Sequence, residues 1–224
     1  MTNASIELAS LIASRLCHDL LSPVGALSNG LELLADERDP DMRQRCFELL
    51  EQSAKTSADK LRFFRLAFGA GGGFGEAIPL AEPRAVVDAL AGGSGRITLN
   101  WAMAGDTMPK AAVKVLLNLA LIGIEALVRG GTLDIAAETR VAESVVAETG
   151  AGHVTEIVVR AAGPRIAFDP AVGHALDGTL ATDALSSKTA PAFLIQQMAA
   201  EAGGGLQTHV SAEALVMGAV LPTA

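Results

Sequence analysis

Between residues 5 and about 37, Leu16, Leu20, Val24, Leu27, Leu31 and Leu34 recur at intervals of three or four, the period of one helix face. The pattern predicts one long helix with that stripe buried. His18 lies two residues from both Leu16 and Leu20, so at about 3.6 residues per turn it points away from them. Ser14, Arg15, Ser22, Gly25 and Asn29 share its side. All are polar or small, which leaves the imidazole a low surround that another protein can approach. Pro23 falls inside the pattern, where it removes a backbone hydrogen bond to the Asp19 carbonyl and either kinks the helix or divides it.

Asp39-Pro40-Asp41 reads as a turn with an N-cap and a proline at the first helical position. A second helix follows, with apolar positions at Cys46, Leu49, Leu50, Ala54, Leu61, Phe64 and Phe68. The short connection makes the two helices antiparallel. Two helices cannot enclose both stripes, which predicts a homodimer built as a four-helix bundle.

Gly69 to Gly75 is too glycine-rich for a helix and lacks the Lys-Ser/Thr ending of a phosphate-cradling loop, so it reads as a linker. Beyond it the pattern becomes mixed. Helices are expected at 82–90, 109–129, near Ala171 and at 191–202. Strands are expected at 96–101, 133–137, 154–160, 206–210 and 214–221, with a turn at Thr149-Gly150-Ala151-Gly152. The fold class is therefore α+β, with a helical hairpin domain at 1–70 and an α/β sandwich at 76–224.

Half of the 224 residues are hydrophobic, enough for substantial cores. The net charge of -8 and the lack of any Lys/Arg block argue against nucleic acid as a partner. Val115 to Val128, the longest apolar stretch, is interrupted by Asn118 and Glu125 and is too short for a bilayer. With no secretory pattern at the amino terminus, a cytoplasmic protein with no membrane partner is expected. Cys17 and Cys46 sit in apolar helical patterns and read as buried thiols. His153, His174 and His209 show no metal spacing.

His18-Asp19-Leu20-Leu21-Ser22-Pro23 is similar to the phosphoacceptor box of histidine kinases, in which an acidic residue follows the His and a Pro comes four positions later. The second domain resembles the GHKL (Bergerat) ATPase fold of those kinases, with its boxes eroded. Val115 to Leu127 follows the N box, but Ile122 stands where an Asn would hold Mg²⁺. Ala161-Ala162-Gly163-Pro164-Arg165 sits at the Asp-x-Gly-x-Gly box, without the adenine-binding Asp and with Arg165 for the second Gly. Lys188 to Ile195 occupies the place of the triphosphate loop and carries none of its glycines. An Ile offers no oxygen to Mg²⁺, and side chains on a phosphate loop block the backbone N–H groups. A phosphoacceptor hairpin beside a degenerate ATPase domain resembles the ChpT histidine phosphotransferases of alphaproteobacteria, essentially over the whole chain.

That resemblance implies a homodimer that takes phosphoryl from the receiver domain of a hybrid histidine kinase onto His18. It then passes the group to response regulators that control the cell cycle. No cofactor is expected on this chain, and Mg²⁺ would sit in the receiver's own acidic pocket. An exposed imidazole is largely neutral near pH 7 and so nucleophilic. Asp19 is expected to orient or polarise the ring, as the second catalytic residue. Arg15, Ser22, Gly25 and Asn29 are expected to face the receiver, although Arg15 by itself reads as a solvated or salt-bridged charge. Asn118 and Glu125 read as capping or interface polar groups. Two other classes stay open: an ATP-dependent histidine kinase, and a dimeric adaptor that binds receivers without chemistry.

Overall fold

A computed structural model describes residues 3–69, 75–93, 95–141 and 152–223. Two helices, α1 (Asn3–Asp36) and α2 (Pro40–Phe68), precede β1 (Ala77–Pro79), α3 (Ala81–Gly92), β2 (Ile97–Met103), β3 (Thr107–Pro109) and α4 (Lys110–Ala126). Then come β4 (Gly131–Val141), β5 (His153–Ala162), α5 (Pro170–Leu176), α6 (Ala190–Glu201), β6 (Gly205–Val210) and β7 (Ala214–Thr223).

The helix α1 runs through Pro23 without interruption. At the turn, Asp39 accepts from the amides of Asp41 and Met42, and Pro40 begins α2, so the polar cap and the preset proline φ start the second helix as the residues demand. Arg43 reaches back to donate to the carbonyls of Leu34 and Glu37 at 3.2 and 2.9 Å, which satisfies acceptors left over at the end of α1. Farther along, Gly30 faces Leu50 and Lys60 meets Asp19, so the pair is antiparallel throughout.

Five strands form one sheet in the order β2-β4-β5-β7-β6. β2 and β4 are parallel and the remaining pairs antiparallel. One face is apolar and buried, as at Leu133, Ile135, Ile157, Val159, Leu215 and Met217, and the helices α4 and α6 pack on it. Phe63, Phe64, Leu66 and Ala67 of α2 join the same core cluster as α4 and the sheet, so the open end of the hairpin is anchored on the sandwich.

Several expectations need correction. The stripe on α1 is only half covered: Val24 and Leu31 are exposed, because a lone hairpin presents two helix surfaces and can bury only the sides that meet. Cys46 is buried but Cys17 is exposed, since one residue past Leu16 is a rotation of about 100° out of the stripe. The helix expected to reach Arg129 ends at Ala126, and Gly130 and Gly131 carry the turn with positive φ, a conformation that side chains disfavour. Neither the β1–β3 ribbon nor the parallel β2–β4 pair was expected. The turn at 149–152 and the Ala/Val/Glu-rich run before it lie, from 142 to 151, outside the described residues. So do residues 70–74 of the glycine-rich stretch.

Candidate functional site

His18 projects from α1 with 84% of its side chain exposed. Its Nδ1 lies 3.2 Å from Oδ1 of Asp19. With the ring proton on Nδ1, where the carboxylate accepts it, Nε2 keeps its lone pair and is the nitrogen available for attack. Adjacent helix positions normally diverge by about 100°, so this contact depends on where the Asp19 carboxylate is held.

Two cations hold Asp19, and one of them is itself held by Glu125. Arg15, one turn earlier on α1, donates from Nε to Oδ2 of Asp19 at 2.7 Å, the i, i+4 spacing at which side chains on one helix face meet. The Nη2 of Arg15 donates to Oε1 of Glu125 in the last turn of α4. Lys60 of α2 donates from Nζ to the Asp19 carbonyl at 2.7 Å. That carbonyl is the acceptor left without its helical amide by Pro23, so the cation replaces the missing donor.

Arg15 is 14% exposed and Asp19 17%. Burial opposes the charge on Arg15, but pairing with Glu125 and Asp19 outweighs it and holds the guanidinium above its ordinary value. Glu125 is held above the usual carboxylate value, first by lost hydration and then by the negative charge of Asp19, while Arg15 and Lys188 pull the other way. Its side chain still keeps 44% of its surface in solvent, so the lost hydration is felt mainly at the carboxylate end beside Arg15.

His18, Asp19 and Arg15 are thus brought together. Ser22 and Asn29 are exposed on the same helix, and a side chain at Gly25 would meet nothing within 4 Å. Among the described residues no hydrogen bond or ion pair joins these three to His18. Lys60 was missed by sequence reasoning, although the acceptor orphaned by Pro23 signalled the need for a donor. Glu125 stands at an interface, between hairpin and sandwich. Asn118 is buried inside α4, where its amide donates to the Lys114 carbonyl at 2.9 Å and its oxygen has no partner among the described residues.

Beside Glu125 lies a crevice of ≈ 250 Å³, lined among others by Arg15, Ile122, Phe168, Asp169, Val172 and Lys188. The resemblance puts nucleotide at this level of the sandwich, but the residues present do not fit ATP. The volume is below the ~300–1,000 Å³ of small-molecule pockets, Ile122 presents hydrocarbon where a metal needs oxygen, and Ala161 is fully buried in the sheet. Lys188 is paired with Asp169 at 2.8 Å. Gly163, which survives from the eroded box, has a purely steric reason to persist: a Cβ there would lie 2.6 Å from the Gly130 carbonyl oxygen. Among the described residues no cluster of three or more His, Cys, Asp or Glu could hold a metal. No helix there is long and apolar enough to cross a membrane.

Three of the matches with known proteins bear on the family of this chain. Residues 80–214 match the family described as the histidine phosphotransferase C-terminal domain. Over 219 residues, 98% of this chain and 98% of the relative, the sequence is 31% identical to protein phosphotransferase ChpT of Brucella abortus (strain 2308). A bacterial phosphotransferase solved at 1.7 Å is 29% identical, is covered over 98% of either chain and superposes with a TM-score of 0.79.

Proposed function

The chain belongs to the histidine phosphotransferase family, and from that premise we propose that it carries phosphoryl between receiver domains on His18. A phosphotransfer role in a phosphorelay comes with the family. In the proposed reaction Nε2 of His18 attacks the phosphorus of a phosphoaspartate on the receiver of a hybrid histidine kinase. The bond from phosphorus to the carboxylate oxygen breaks, and the carboxylate leaves with the electron pair. The imidazolium so formed keeps its Nδ1 proton against Asp19. The aspartate of a response regulator then takes the phosphoryl from Nε2 by the reverse displacement. Mg²⁺ in the receiver supplies charge neutralisation, and this chain contributes alignment of the nucleophile.

The observation that carries this reading is the pairing of a largely exposed imidazole with a carboxylate fixed on its Nδ1. Ser22, Gly25 and Asn29 form the low surface beside it against which a receiver would rest, and Arg15 lies at its edge. The assembly is proposed to be a homodimer. Support comes from the exposed Val24, Leu31, Phe47 and Leu61, and from an apolar groove of ≈ 690 Å³ that includes Leu8, Ile12, Leu16 and Phe64. A second copy of the hairpin would cover both.

The deciding experiment is transfer of radiolabel from a receiver carrying phosphoaspartate to the full chain. Wild type is expected to take up label from the receiver and none from Mg-ATP, and His18→Ala to take up none while keeping its helical circular dichroism. Label on His18→Ala would sink the assignment, uptake from Mg-ATP would make the protein a kinase, and no uptake by wild type would leave a receiver-binding adaptor.

A further inference from the structure

Glu125 is the only one of the four linked groups that the hairpin does not supply. The chain of contacts runs from Glu125 to Arg15 Nη2, from Arg15 Nε to Asp19 Oδ2, and from Asp19 Oδ1 to His18 Nδ1. Two nitrogens of the guanidinium each meet a different carboxylate, in the fixed directions that a planar fork sets and a freely rotating ammonium does not. The hairpin could have built an Arg15–Asp19 pair alone, because both lie on α1 one turn apart. Left alone, that pair would put the full guanidinium charge on Asp19 and weaken its hold on the imidazole proton. A second anion on the far side of Arg15 offsets that charge, and at separations of a few ångströms in a partly desolvated junction the offset is large.

We propose that Glu125, acting from α4 of the sandwich through Arg15 and Asp19, is a positioning residue that fixes His18 in the Nδ1–H tautomer and so presents Nε2 for phosphoryl transfer. The eroded ATPase-like unit thereby has a task in the chemistry that needs no nucleotide: it completes the support of the phosphoacceptor. The inference rests on His18 being that phosphoacceptor. At Glu125 lost hydration opposes the negative charge and Arg15 favours it. The charged groups that face it are Arg15 and Asp19 from α1 and Lys188 from the segment before α6, and Lys188 is paired with Asp169.

The test avoids receiver docking, which Arg15 could also affect, by using phosphoramidate as the phosphoryl donor to the full chain. Nε2 attacks phosphorus, the P–N bond breaks, and ammonia leaves with the electron pair. The rate is followed by ³¹P NMR, and the tautomer by the ¹⁵N shifts of the His18 ring. Wild type is expected to be mainly Nδ1–H, against the Nε2–H form that imidazole favours in water. Glu125→Gln is expected to shift the ring toward Nε2–H and to slow phosphorylation about 3- to 30-fold, the range of couplings carried through intermediate residues. Arg15→Lys, which keeps the charge but not the fork, is expected to do the same and serves if Glu125→Gln loses its fold by circular dichroism. A wild-type ring in the Nε2–H form overturns the proposal. So does a variant that lowers the melting temperature but leaves tautomer and rate unchanged, since that is the mark of a docking contact. His18→Ala separates the two readings: if its phosphorylation falls to the slow background of the remaining histidines while Glu125→Gln reacts like wild type, only the positioning role fails, and if His18→Ala is phosphorylated as fast as wild type, the phosphoacceptor assignment fails.

Discussion

At Asp19, backbone and side chain are held by separate cations: Lys60 on the carbonyl and Arg15 on the carboxylate. The first of these is a consequence of Pro23, which has no amide to give. Replacing Lys60 with Met is expected to cost about 1.5–3 kcal/mol, the scale of a hydrogen bond with a charged partner. In a Pro23→Ala background an amide becomes available to the same carbonyl, so the cost of Lys60→Met should shrink toward zero. A double-mutant cycle in urea measures the difference, and equal costs in both backgrounds would mean that Lys60 does not replace the proline's missing donor. His18, Asp19 and Pro23 were legible in the sequence because their spacing is local. Lys60 and Glu125 were not, because they lie 41 and 106 positions from Asp19 and meet it or its partner only once helices pack.

Among the elements, the hairpin was legible almost to the residue: a five-turn apolar period, an N-cap Asp and a proline leave few alternatives for α1 and α2. The sandwich was harder. The β1 and β3 segments are three residues each, too short for any periodic signal, and a parallel β2–β4 pair is set by the path of α4 between them rather than by either strand. The segment entering α5 offers a test. Asp169 accepts from the Ala171 amide and from Lys188, and both contacts, that with Lys188 first, hold its carboxyl below the ordinary aspartate value. For a depressed carboxylate, the stabilisation is present above the unfolded value of about 3.9 and is lost as pH falls through the lower folded value. Asp169→Asn, which can still cap, should therefore be less stable than wild type at pH 7, and the two urea midpoints should converge as the pH is taken toward 2. A gap that persists in acid would assign the effect to something other than this charge.

Taken as a whole, the molecule is anchored at one end and open at the other. Phe63, Phe64, Leu66 and Ala67 are fixed in the sandwich core, while toward the hairpin turn Val24, Leu31, Phe47 and Leu49 stand in solvent. Burial of such a stripe against a second copy is worth roughly 25 cal/mol per Å² of apolar surface, and a carboxylate placed in it would have to be desolvated without a partner. Leu31→Glu is accordingly expected to give a monomer by sedimentation while wild type sediments as a dimer. A wild-type monomer at micromolar concentration would remove the homodimer from the proposal. The sequence by itself determined the hairpin and the exposed imidazole with its neighbouring carboxylate, because helix period and residue adjacency are local properties. Only the tertiary structure decided that the acceptor freed by Pro23 is met by Lys60, and that Glu125 at the end of α4 stands against Arg15. Contacts between groups on different elements depend on the angle and register at which those elements pack, and no single helix or strand encodes that.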